Sequence, residues 1–223
     1  MKSIKVKRIL AAALAASMVM ASAVTVSASG SDLPDPGTSS NESSSSSSES
    51  SETAATFAQT MSRTADAPVS VAGTSVKTSV AGVYAAQKVQ GVAVTTALTA
   101  VKASLGLTGS QTPAIIIYDT DENKSYRAME CINAAAASIG GTVVASLNID
   151  LGAKENGKWV TLSSGTVGLV AGLPKGADTS KEYCAICVQP GGVITILEDQ
   201  DANPATVTFE VQAGLGTYAI TAK

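Results

Sequence analysis

The chain has 223 residues, with 15 Lys and Arg against 18 Asp and Glu and no His. Without His there is no Ser-His-Asp or Cys-His nucleophile, no His-containing zinc site and no ordinary general base near neutral pH. Aromatic residues make up only 4%, so a core has to rest on Val, Ile, Leu and Ala.

The N-terminus reads as an export signal over 1–28. Lys2, Lys5, Lys7 and Arg8 form a basic start without an acid, and "ILAAALAASMVM" follows as an apolar stretch. "ASA" at 21–23 and "VSA" at 26–28 both offer small residues where a signal peptidase cuts. The competing reading, an uncleaved membrane anchor, is weakened by the many Ala and Ser residues. No Cys stands near the cleavage sites for lipid attachment, and "TYAITAK" at the C-terminus does not match a wall-sorting signal. Removing 1–28 takes four of the 15 bases and leaves 11 against 18 acids. No basic run follows, which argues against nucleic acid as a partner.

Residues 29–75 read as a tether. "TSSNESSSSSSESS" at 38–51 holds ten Ser in fourteen positions and nothing apolar, so it cannot bury enough surface to offset its ordering entropy. "NES" at 41–43 fits a glycosylation pattern, which carries little weight beside a bacterial type of signal. The expected role of the tether is to hold a folded domain away from a surface.

The folded part is expected from about residue 76, as α+β: a small α/β segment with two helices (76–141), then a seven-strand Ig-like antiparallel β-sandwich (142–223). "GVYAAQKVQGVAVTT" at 82–96 suggests two short strands broken at Gly91. Thr96 is placed to cap a helix through Leu105, with Leu98, Val101 and Leu105 on one face. "PAIIIYD" at 113–119 reads as a buried strand. "SYRAMECINAAAASIGG" at 125–141 reads as a helix capped by Ser125, with Met129, Ile132, Ala136 and Ile139 on one stripe.

From Thr142 the texture turns to β. "TVVASLNIDLG", "WVTL", "TVGLVAGL", "YCAICV", "VITIL", "TVTFEV" and "GTYAITA" are the expected strands. Asn156-Gly157 and "QPGG" at 189–192 give hairpin turns, and "PKGADTSKE" a loop. Three of these stretches, "LNIDLGAKENGKWVTLSSGTVGLVAGLP", "YCAICVQPGGVITILEDQDANPATVTFEV" and the closing "GLGTYAI", resemble a C-terminal β-module of secreted and surface proteins of Gram-positive, often gut-dwelling bacteria. Ile149 to Leu151, Leu173-Pro174 and Gly216 to Ile220 carry the match. Gly191-Gly192 and Leu215-Gly216 depart from the polar hairpin and Phe-Ser usual in that family. The resemblance implies a sandwich spacer or adhesin-type module with no shared catalytic site. Residues 76–141 resemble a clostridial secreted companion segment of no assigned role.

Four sets of residues invite a chemical reading. Asp119, Asp121, Asn123 and Glu130 occupy positions one, three, five and twelve of a calcium loop, but Lys124 stands at the position needing Gly, and a strand replaces the entering helix. The plainer reading is a strand-to-helix joint. Asp199, Asp201 and Asn203 repeat the spacing up to Pro204, without a twelfth acid. Cys184 and Cys187 form C-x-x-C within a strand pattern, where residues three apart face opposite ways. Small buried hydrophobes are the plainer reading, with a bond from Cys131 to one of them as the alternative. Trp159 and the tyrosines at 84, 118, 126, 183 and 218 are the aromatics available for sugar stacking, against core or rim packing. Lys154, Lys158 and Lys175 fall on loops.

The sequence assigns no catalytic, cofactor-binding or metal-binding residue and implies no cofactor. It points to a secreted, tethered, non-enzymatic protein that presents a structure or binds an extracellular protein or glycan. It implies no membrane contact beyond the signal segment. A carbohydrate- or wall-binding module is the first alternative, and a hydrolase using Asp119 and Glu130 the second.

Overall fold

The computed structural model describes residues 62–223, so the expected leader and the Ser-rich run lie outside the described residues. Two sheets face each other across one core, and a helix covers part of the outer face of the larger sheet. The fold is mostly β with two helices among the described residues, a sandwich-like α+β arrangement.

The larger sheet runs in the order β1 (Ser62–Arg63), β4 (Ala81–Ala85), β6 (Thr112–Asp119), β7 (Thr142–Glu155), β13 (Gly214–Ala222), β10 (Tyr183–Gln189) and β11 (Val193–Glu198). A short strand, β8 (Lys158–Thr161), pairs with the far end of β7. The facing sheet contains β12 (Thr206–Gln212), β9 (Thr166–Gly172) and β5 (Val92–Val94). A separate hairpin joins β2 (Ala67–Val71) to β3 (Thr74–Thr78).

The β4–β6 pair is parallel. Parallel neighbours need a crossover connection. Here it runs through β5 in the facing sheet and then helix α1 (Leu98–Ser104). All other pairings are antiparallel, and they include two of the expected turns. Asn156 (φ 51) and Gly157 (φ 77) take the left-handed pair of conformations that an Asn-Gly hairpin needs. Gly191 and Gly192 close the β10–β11 turn, where Gly192 N–H bonds the Gln189 carbonyl at 3.0 Å.

Two boundaries differ from the sequence expectation. The tether placed at 29–75 overlaps strands β1, β2 and part of β3. The alternation of Val69, Val71 and Val76 explains this, because it packs the hairpin against Ala93 and Val170 in a small apolar cluster. The break expected between residues 141 and 142 does not divide two cores. β6 pairs with β7 from Thr112–Lys154 to Asp119–Leu147, and β5 pairs with β9. Segments on both sides of residue 142 therefore build the same two sheets. Their shared core includes Ile115, Ile117, Leu147, Ile149, Leu169 and Phe209, all essentially buried. Each such side chain stabilises the fold by about 1.5–3 kcal/mol relative to leaving it exposed.

Helix α2 (Tyr126–Ser138) lies on the opposite face of the larger sheet. Met129, Ile132 and Ala136, three members of the expected stripe, pack on Ile186, Val188 and Ala219. The helix end approaches β13 closely. A Cβ on Gly141 would stand 2.6 Å from Thr221 Cγ2, so the position requires a glycine. The expected caps act differently. Ser125 occupies the N-cap position of α2 but makes no side-chain cap bond. Ala97 rather than Thr96 precedes α1, and Thr96 Oγ1 instead accepts the Gly168 N–H at 2.7 Å, tying the helix to β9.

Candidate functional site

The acidic stretch 119–130 is a joint. Asp119 ends β6 and accepts the Gln87 N–H at 2.9 Å and the Lys88 N–H at 3.0 Å, one on each oxygen. Asp121 Oδ1 accepts the N–H groups of Asn123 (3.1 Å) and Lys124 (3.4 Å). Those bonds, the Lys124 N–H first, hold its carboxyl below the usual range. Lys124 Nζ adds an ion pair with Asp121 at 3.4 Å, while Glu130 is exposed on α2. The acids therefore brace separate backbone donors, and nothing brings them around one cation. Among the described residues no group of three Asp, Glu or Cys is arranged to hold a metal ion.

The second acidic run works the same way. Asp199 Oδ1 accepts the Asp201 N–H at 3.1 Å and the Thr208 N–H at 2.9 Å. Asp201 accepts the Asn203 N–H at 2.7 Å and the hydroxyls of Thr206 and Thr208. A polar pocket of about 310 Å³ opens beside this run, lined also by Lys181, Glu182 and Glu198. Its Asp oxygens brace the turn into β12, and Glu198 pairs with Lys223 at 3.1 Å.

The three cysteines are free. Cys187 enters the core opposite Tyr218, and Cys184 points to the other face, opposite Thr221 and Glu198. Burial pushes both thiols up. Of the aromatics, Tyr84 is consumed internally. Its OH bonds Thr78 Oγ1 at 2.6 Å and the Val80 carbonyl at 2.7 Å, and burial raises its pKa to about 12. Tyr218 stacks on Phe209 with centroids 5.8 Å apart and accepts the Gln212 N–H at 3.0 Å. Tyr183 donates to the Asp178 carbonyl at 2.9 Å. Tyr118 and Tyr126 are exposed.

Trp159 is different. It stands on β8 opposite Lys154, half-buried, with its indole edge across Gly152 of β7. A Cβ at Gly152 would come 2.6 Å from Trp159 Cζ2 and 2.8 Å from Cε2, so the ring position depends on that glycine. The ring borders a largely apolar pocket of about 170 Å³ on the outer face of the larger sheet. Small residues of β4 and β6, Ala81, Gly82 and Ala114, leave the floor low, and Lys154 stands at the side, while Arg63 borders the pocket from β1 with its side chain on the core side, opposite Gly82. A neighbouring pocket of about 250 Å³ shares Ala81, Ala114 and Lys154 and adds Leu98 and Lys102 from α1. No Asp or Glu lines either pocket. The nearest acid on this strand face is Asp150, two residues before Gly152, or ~7 Å along β7. Burial raises its pKa, and its Oδ1 has no hydrogen-bond partner among the described residues.

A concave apolar floor, an aromatic wall and a few polar groups at the rim form a common pattern for small-ligand sites. Sequence reasoning found Trp159 but not its setting. Gly152 looked like a strand end, and Arg63 fell inside the expected tether. Comparison with protein-family models, with curated proteins and with solved structures found no match.

Proposed function

We propose that this chain is a secreted extracellular or cell-surface protein, in which an export leader and a Ser-rich tether carry a binding module that performs no catalysis. The single observation that carries the binding part is the Trp159 pocket: the only Trp in the chain is held half-exposed over a glycine beside a concave apolar floor. The leader and the tether support export. Full-length protein, tagged at its C-terminus and made in a Gram-positive host, tests this. The expected result is a shortened product in the medium or wall fraction, and a full-length cytoplasmic product rejects it.

Among binding modules, a carbohydrate- or wall-binding one is favoured by the same tryptophan. The C–H face of a sugar ring is attracted to the negative face of an indole, and one ring fits a pocket of this kind. The carboxylate-hydrolase alternative loses its motive, because Asp119 spends both oxygens on backbone N–H groups. In this reading β7 to β13 are the seven strands of an Ig-like sandwich over 142–223, with β5 and β6 as the partners they need. Membership of the Gram-positive surface-module family is part of the same proposal.

A further inference from the structure

We infer that the two adjoining pockets beside Trp159 form one subsite for an anionic glycan, a sugar polymer that carries carboxylate or phosphate groups. This rests on the glycan reading above and adds the charge of the ligand. Lys102 and Lys154 come from α1 and β7, two elements far apart in sequence; both line the second pocket, and Lys154 lines the first as well. The ion pairs found among the described residues, Lys88–Glu122, Lys124–Asp121 and Lys223–Glu198, involve neither of the two. The folded part carries slightly more acid than base, yet no Asp or Glu lines either pocket. Bases gathered without acids in a concave site complement an anion. The Lys102 and Lys154 ammonium groups act as mobile point charges toward a carboxylate or phosphate.

The rest of the site selects a ring rather than a bare anion. Trp159 supplies a flat wall, while Ala81, Gly82 and Ala114 keep the floor shallow enough for a ring to lie against it. Asp150, further along the same strand face, lies outside both linings and leaves the anion's approach from the Lys102 side open.

Affinity electrophoresis of the full chain tests this with four immobilised polymers: polygalacturonate, a glycerol-phosphate polymer, neutral xylan and poly-L-glutamate. Retention is expected on one or both of the first two, identifying carboxylate or phosphate as the group read. Lys154→Gln and Lys102→Gln, both on accessible side chains, weaken that retention by about threefold to tenfold each. Trp159→Ala abolishes it, and Trp159→Phe, which keeps an aromatic face, restores part of it. Equal retention on xylan, unchanged by the Lys variants but lost in Trp159→Ala, overturns the charge inference and leaves the glycan reading standing. Equal retention on poly-L-glutamate overturns the choice of a glycan. No retention on any polymer overturns both.

Discussion

The outer face of the larger sheet has two halves with different fates. Under α2, Ile186, Val188 and Ala219 meet Met129, Ile132 and Ala136 and are sealed from water. At the other end, Val83, Ile116 and the small residues of β4 and β6 are covered only at their margin, by Trp159. Strand alternation is the same in both halves, so alternation does not decide which one closes. The decision lies with α2, which follows β6 in the chain but lies across β10, β13 and the start of β7. A sheet with one face fully committed to its core can leave part of the other for binding.

The largest effect is expected from separating the two segments of the chain. A fragment of residues 142–223 lacks β5 and β6, leaving the edges of β9 and β7 unpaired and Ile149, Leu151 and Leu169 without their strand neighbours Ile117, Ile115 and Val94. It should show no cooperative thermal transition by circular dichroism. A sharp melt would mean that the β7–β13 strands are independent after all.

The next test sets the halves against each other. Ile132→Ala, under full burial, should cost about 2–5 kcal/mol in a denaturant melt. Ile116→Ala, on the open half, should cost about 1 kcal/mol, because its side chain is already partly in water. Equal costs would remove the distinction. Gly152→Val probes the boundary of the open half. Its new side chain meets the indole, so about 1–3 kcal/mol of stability should be lost. Emission of the single Trp should shift to longer wavelength as the ring swings outward.

Much of this arrangement was legible in the sequence and some of it was not. Both helices, the stripe through Met129, Ile132 and Ala136, and the turns at Asn156-Gly157 and 189–192 follow from local chemistry, which the chain states within a few residues. What failed depended on partners far away. Thr96 and Ser125 fit the chemistry of caps, but Thr96 finds a better acceptor role with Gly168, 72 positions on. The boundary at 142 marked a true change of texture, yet strand pairing across it is a tertiary choice that texture does not encode. The pocket was hidden for the same reason. Lys102, Lys154 and Trp159 are ordinary residues in their own windows, and only the pairing of β6, β7 and β8 and the seat of α1 beside β6 gather them.

The smallest expected effect sits where the halves meet. Asp150 lies between Ile116 of β6 and Leu215 of β13, and burial raises its carboxyl pKa. An acid with a raised folded pKa binds its proton more tightly in the native chain than in the unfolded chain, where the value is about 3.9. Its charge therefore costs stability above the folded pKa, and that cost fades as pH falls toward the unfolded value and is gone below it. Asp150→Asn removes the charge while keeping the shape. The variant should melt slightly higher than the parent at pH 7, with the difference shrinking to nothing near pH 3 in paired calorimetric scans. A lower melting temperature at pH 7 would instead show that the carboxylate has a favourable partner in solution. The border would then be a satisfied polar joint rather than the unsealed edge of the open half.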